Sequence, residues 1–204
     1  MDNKEILNFF PQTIFKYKVN NFKEYNKKLS EYIYSLQREN KDGIQRSNRG
    51  GWHSNSFNLK EISSIQHKFA LETSKYVFDT IKTYGWILEP DKVLCSEMWA
   101  IINKKNDFNI MHTHPNCNLS AAYYVKAPKD SGKFTIENPN SVNKHSYPPS
   151  YEKTKFNSKL EKLDIEEGDL FIFPAHLPHG VEENKSDDDR IVISFNIIIN
   201  NFKN

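Results

Sequence analysis

Residues 110–126, IMHTHPNCNLSAAYYVK, place two of the chain's seven histidines one residue apart, directly before a run with the character of a buried strand. Side chains alternate along a strand, so residues two apart face the same side, and His112 and His114 can address one ion together. A second histidine cluster closes GDLFIFPAHLPHGV, residues 168–181: a Gly-Asp turn, an apolar strand, then Pro174, His176, Pro178 and His179. If these two strand ends are neighbours in a barrel, three imidazoles meet at its mouth. Three neutral nitrogens with open positions suit Fe(II), and also Zn, Ni or Cu, better than Ca or Mg.

Around this pair the pattern is period two. After Pro90, the segments VLCSEMWAIIN, NLSAAYYVK, GKFTIENP, DLFIFP and RIVISFNIII are all strand candidates bounded by Pro, Gly, Asn or Asp. Strands that follow one another without intervening helices argue for an antiparallel sandwich or barrel. The first half reads differently. TIFKYKVN alternates as a strand, Asn21 to about Asn40 carries one apolar stripe at helical spacing, and a second helix is expected from about Leu59 to Tyr84 with Ile62, Ile65, Phe69, Tyr76 and Ile81 inward. The fold expected is therefore α+β: a jelly-roll core over about 91–200 with helical support over about 20–86, all one domain of 1–204.

Composition narrows the partners. A net charge of +2, from 28 basic and 26 acidic residues, gives no excess that makes nucleic acid or an anionic membrane the expected ligand. Two cysteines far apart suggest neither a disulfide framework nor a zinc knuckle, and fit a reducing compartment. The N-terminal MDNKEILNFFPQ has charge where a signal peptide needs an apolar run, so a soluble cytoplasmic protein is expected. Oligomeric state is not legible.

Arg190 opens the strand RIVISFNIII, eleven positions after His179, and Ser194 falls on its face. A guanidinium entering so apolar a strand needs an anion, because burying its charge unpaired is costly. A planar fork beside a hydroxyl is suited to a carboxylate; the competing reading is an ion pair with Asp187, Asp188 or Asp189. His53, His67 and His145 read as ordinary satisfied polar residues. Trp52, Trp99, Asn103 and Asn109 are candidates for a substrate mouth, with core or turn as their competing reading. The loops 43–56 and 138–160 are the expected lids.

Taken together, HTH, NLSAAYYVK, FPAHLPHGV and RIVISFN resemble the iron ligands and co-substrate clamp of 2-oxoglutarate and Fe(II)-dependent oxygenases on a double-stranded β-helix core. The nearest resemblance is to a small bacterial and phage group of that superfamily, and it runs from TIFKYKV through GGWHS and WAIINKKNDFNIMHTHP to the last strand. It implies His112, His114 and His179 as metal ligands and Arg190 with Ser194 as the grip on the C5 carboxylate of 2-oxoglutarate. Tyr124 and Ser120 are implied as further co-substrate contacts, and Fe(II), 2-oxoglutarate, O2 and an unknown prime substrate as partners. His114 departs from the pattern, standing where most relatives have aspartate. Two rivals share the barrel: a cupin-type three-histidine enzyme, which usually has a Glu soon after His-x-His and finds none in PNCNLS, and a jelly roll without catalysis.

Overall fold

The computed structural model describes residues 5–8, 10–86, 89–140 and 148–200. In chain order the elements are β1 (Phe15–Lys18), α1 (Phe22–Glu39), β2 (Asn48–Arg49), β3 (Trp52–His53), α2 (Ile65–Thr83), β4 (Val93–Asn103) and β5 (Phe108–His112). They continue with β6 (Leu119–Lys126), β7 (Phe134–Glu137), β8 (Leu160–Leu163), β9 (Asp169–Pro174), β10 (His179–Val181) and β11 (Arg190–Ile199). All strand pairs are antiparallel, in two sheets ordered β1-β9-β6-β11-β4-β3 and β2-β5-β10-β7-β8. This is the double-stranded β-helix, with two helices laid on the outer face of the larger sheet.

That arrangement explains why the central strands are apolar on both faces. Along β6, Leu119, Ala121, Tyr123 and Val125 join the helix-side core with Leu29, Ile33, Phe69 and Ile81, whereas Ala122 and Tyr124 face the second sheet. Strand β11 divides the same way, Ile191, Ile193, Phe195 and Ile197 toward the helices and Val192 inward. Tyr123 ties the layers together: its ring lies 4.6 Å from Phe69 and its hydroxyl donates to Asn26 on α1. The inner cluster of Trp99, Ile101, Phe134, Phe171, Phe173, Leu177 and Val192 fills much of the space between the sheets.

Several expectations are corrected. Helix α2 starts at Ile65, not Leu59, because the extended Ser64 caps it, its hydroxyl accepting from the His67 N–H at 3.3 Å. Ile62 therefore precedes the helix and is 75% exposed. The polar stretch 43–56 is not a free lid: Asn48–Arg49 and Trp52–His53 pair with β5 and β4, and Trp52 is buried in the helix-side core, its indole N–H donating to the Asn40 carbonyl. Part of the other expected lid, 141–147 with His145, lies outside the described residues. No helix among the described residues is long and apolar enough to cross a membrane.

Candidate active site

Only His112 of the His-x-His pair is on a strand, as the last residue of β5; His114 lies in the turn beyond it, its N–H bonded to the Ala175 carbonyl. His179 likewise begins the new strand β10 on the smaller sheet, rather than ending β9. The two changes of course bring the rings together. His179 and His112 are register partners with centroids 4.4 Å apart, and His114 stacks on His179 at 5.1 Å. One nitrogen from each of the three lies within 4.8 Å of the others.

The tautomers suit a metal. Nδ1 of His112 donates to the Ile110 carbonyl at 2.8 Å and Nδ1 of His179 to Leu177 at 2.9 Å, which leaves both Nε2 lone pairs free. Nε2 of His114 stands 3.3 Å from Nε2 of His179, close to the ~3 Å between adjacent ligands on bonds of ~2.1 Å. Burial, with the mutual repulsion of the rings, lowers His179 to about 3 and His114 to about 4, and burial lowers His112 as well. All three are neutral at neutral pH, the form that ligates. Phe173 and Phe134, 4.5 Å and 5.6 Å from the His179 ring, shield the cluster from water.

Behind the histidines, inward residues of β4, β6 and β11 face the space between the sheets, here called the chamber. The registers place Arg190 opposite Asn103, Ser194 opposite Trp99 and Ala122, and Asn196 opposite Ser120. Arg190 is 0% exposed, and it has no carboxylate within ion-pair distance among the described residues. The three neighbouring aspartates are occupied elsewhere, Asp187 with Lys105, Asp188 with Lys126 and Asp189 with the Tyr34 hydroxyl. The competing reading from the sequence therefore fails. The guanidinium is instead steered by neutral acceptors: Nη1 donates to the Ser131 and Glu182 carbonyls, and Nη2 to Oδ1 of Asn103 at 3.0 Å.

What remains unpaired here is mostly donor. Arg190 Nε, the Tyr124 hydroxyl, Trp99 Nε1, Asn103 Nδ2 and Ser131 Oγ are all buried without a partner. Burial pushes the Tyr124 phenol well up, with the Arg190 charge opposing, so it remains an O–H. Such a set is costly when empty and satisfied by an anion rich in oxygen. It is an orphaned group that fits a dicarboxylate beside a metal.

The remaining expectations divide. Tyr124 shares the chamber with Arg190, and Ser194 faces it half-buried. Ser120 is on the same face, but its hydroxyl donates to Asn196 Oδ1 at 2.9 Å, away from Arg190. Asn103 orients the guanidinium rather than lining a mouth, and Asn109 donates to Ser47 at 3.2 Å. His53 was read as an ordinary polar residue, yet its buried ring stacks on Trp99 at 5.7 Å, and Trp99 lies 5.8 Å from His114. Nothing but the inward register of β3 on β4 could have revealed it.

A double-stranded β-helix with three neutral imidazoles gathered at one point, able to hold a metal ion, and a buried guanidinium without an ion pair among the described residues is an arrangement that suits a jelly-roll metal site. Comparison with known proteins agrees. Residues 97–196 match the family model described as "Putative 2OG-Fe(II) oxygenase". The fold resembles a prolyl-4-hydroxylase from Pseudomonas putida (TM-score 0.65, 12% identity, 92% of each chain). It also resembles HygX from Streptomyces hygroscopicus, solved with nickel, 2-oxoglutarate and hygromycin B (TM-score 0.63, 12% identity, 94% of this chain and 84% of that one). A third is a prolyl hydroxylase from Trichoplax adhaerens in complex with a hypoxia inducible factor peptide (TM-score 0.63, 10% identity, 91% and 83%). No curated protein matches. The matched stretch carries His112, His114, His179 and Arg190, so the family likeness and the site fall on the same residues.

Proposed function

We propose that this protein is a dioxygenase that hydroxylates a C–H bond of an as yet unidentified substrate, with His112, His114 and His179 holding Fe(II) and Arg190 holding 2-oxoglutarate. When bound, that pair supplies the chemistry with O2: oxidative decarboxylation to succinate and CO2, one oxygen atom entering succinate and the other the substrate. The residues of the chain supply position, charge and dryness. The observation that carries the reading is the buried Arg190, without an ion pair among the described residues, at the end of a donor-lined chamber whose other end is the histidine cluster. The nickel and 2-oxoglutarate in the HygX structure support transferring the same pair to this chain.

In this reading Asn103 and the carbonyls of Ser131 and Glu182 fix the guanidinium plane, so its fork meets the distal carboxylate without rearrangement. The neutral Tyr124 hydroxyl and Ser194 add donors to the same anion. Phe134, Phe171 and Phe173 keep bulk water from the metal side. The prime substrate approaches past His114, which borders a pocket of about 610 Å³ also lined by Thr113, Asn118, His176, Tyr84 and Trp86. A cupin-type enzyme using no 2-oxo acid would leave Arg190 and the Tyr124 hydroxyl without a task.

The test is an anaerobic titration of the metal-free protein with Fe(II) and then 2-oxoglutarate, following the visible metal-to-ligand charge-transfer band. A band in the wild type that H179A abolishes is expected. Iron binding without a band would overturn the 2-oxoglutarate assignment, and no iron binding would overturn the enzyme reading altogether.

A further inference from the structure

Trp99 is the part of the chamber to which the proposed chemistry assigns no role. Its ring lies between two imidazoles, His53 at 5.7 Å and nearly parallel, and His114 at 5.8 Å and tilted. It is only 9% exposed, and its indole N–H has no acceptor. Leaving a buried donor unmet is unfavourable by about 1–3 kcal/mol. A phenylalanine would have filled the same apolar site without that cost. Trp52 gives the contrast within the same protein, since its N–H is spent on the Asn40 carbonyl.

Position decides what the donor is for. Trp99 is opposite Ser194 across the β4–β11 ladder, and Asn103 is opposite Arg190, so each strand carries one residue at each end of the chamber. Four residues of strand separate the two ends, about 13 Å at ~3.3 Å per residue. The reach of the Arg190 side chain shortens that span to the scale of a five-carbon dicarboxylate. Trp99, in ring contact with His114, is therefore at the metal end, opposite the guanidinium.

Resting on the oxygenase reading above, we propose that the Trp99 indole N–H is a positioning donor to the 2-oxo acid end of the co-substrate, held in place by the stacked His53. Arg190 then takes one end of the dianion and Trp99 helps to orient the other, which sets how the 2-oxo acid meets the histidine-held metal. His53 acts through Trp99: its Nδ1 donates to the Ser54 carbonyl at 2.7 Å, which pins the imidazole face against the indole.

The experiment reads the indole N–H signals of the three tryptophans by proton–nitrogen correlation in Zn(II)-loaded wild-type protein, with and without 2-oxoglutarate. The signals are assigned through W86F and W99F. The Trp99 proton is expected to move downfield and exchange more slowly with solvent when 2-oxoglutarate binds, while that of Trp52 remains in place. In the Fe(II) protein, W99F is expected to keep its iron affinity, to bind 2-oxoglutarate about tenfold more weakly and to displace the charge-transfer band. If none of the three indole signals moves at saturating 2-oxoglutarate, the inference is overturned even if W99F fails to fold, as it is by a W99F band at the wild-type position with wild-type affinity. If wild-type protein gives no band at all, the oxygenase reading fails first and this inference with it, so the two failures are distinguishable.

Discussion

His112 and His179 are register partners across the β5–β10 ladder, so the backbone hydrogen bonds that pair the strands also hold the two rings 4.4 Å apart. The spacing of two of the proposed ligands is therefore built into the smaller sheet. H179A or H112A is expected to lower Fe(II) affinity by more than about 100-fold, beyond the ~10–100-fold typical of an outer partner. The folded state should survive, because the surrounding Phe134 and Phe173 remain packed. Isothermal titration with a divalent metal checks the first statement and thermal unfolding the second; an affinity within tenfold of wild type would remove that residue from the ligand set.

Arg190 has a structural role and a proposed co-substrate role that its variants can separate. Its Nη1 satisfies the Ser131 and Glu182 carbonyls, its Nη2 donates to Asn103 Oδ1, and its Nε has no partner. R190A is expected to weaken 2-oxoglutarate binding about 10- to 100-fold and also to lower the melting temperature, since two buried carbonyls lose their donor. R190K keeps the charge without the fork, and should recover part of the affinity. Metal affinity in the absence of 2-oxoglutarate should be unchanged in both. A loss of metal binding in R190K would mean that the residue supports the histidines and not the co-substrate.

How much of this was legible differs by element for physical reasons. Strands β4 and β11 match their sequence-predicted limits, because eleven and ten residues of apolar and β-branched chain between turn formers leave little ambiguity. The charged LEKL of β8, three of its four residues exposed, has no apolar face to detect and forms an edge. His114 was expected on the strand with His112, yet Pro115 follows it and Asn116 takes a positive φ of 63°, so the chain turns there. The roles of Asn103 and His53 depend on registers between strands far apart in sequence, which a single sequence does not display.

Gly132 is shaped to the guanidinium. Its φ is +86°, and an added Cβ would fall 2.6 Å from the Glu182 carbonyl oxygen, 2.8 Å from that of Glu183 and 2.9 Å from Arg190 Nη1. G132A is expected to destabilise the protein by about 1–3 kcal/mol through strain and to displace Arg190, weakening 2-oxoglutarate while sparing the metal. Denaturant unfolding paired with metal and 2-oxoglutarate titrations reads both; unchanged 2-oxoglutarate affinity in a destabilised G132A would detach this loop from the chamber.

The histidines also predict a pH dependence. His53, His112, His114 and His179 are all held below their ordinary value of 6.5 by burial, His114 to about 4 and His179 to about 3. As pH falls below 6.5 the unfolded chain takes up protons that the folded one does not, so stability is complete above that value and declines toward pH 4. Carboxylates held low by their partners, Glu161 by a hydrogen bond from Ser158 and then by Lys153, Glu182 by Lys162, add their own loss only below about 4.5. The metal-free protein should thus lose melting temperature between pH 6.5 and 4.5, less steeply in H114Q, and saturating Zn(II) should move the decline to lower pH. A flat wild-type profile across that window would show that the imidazoles are not buried as described.

The identity of residue 114 sets the charge that the chamber presents. With three neutral imidazoles a divalent metal keeps about +2, and Arg190 adds +1 with no carboxylate at ion-pair distance among the described residues, Asp107 acting on it only from farther off. An aspartate at the same position would bring the metal to about +1, weakening its pull on a dianion while stabilising the oxidised metal. H114D is therefore expected to bind 2-oxoglutarate less tightly and to lower the Fe(III)/Fe(II) potential. H114N, neutral like the histidine, should leave the potential nearer to wild type. Anaerobic titration and electrochemistry of the iron-loaded variants test this; equal affinity and potential in H114D and wild type would place His114 outside the ligand set, leaving His112 and His179 as the protein's two ligands.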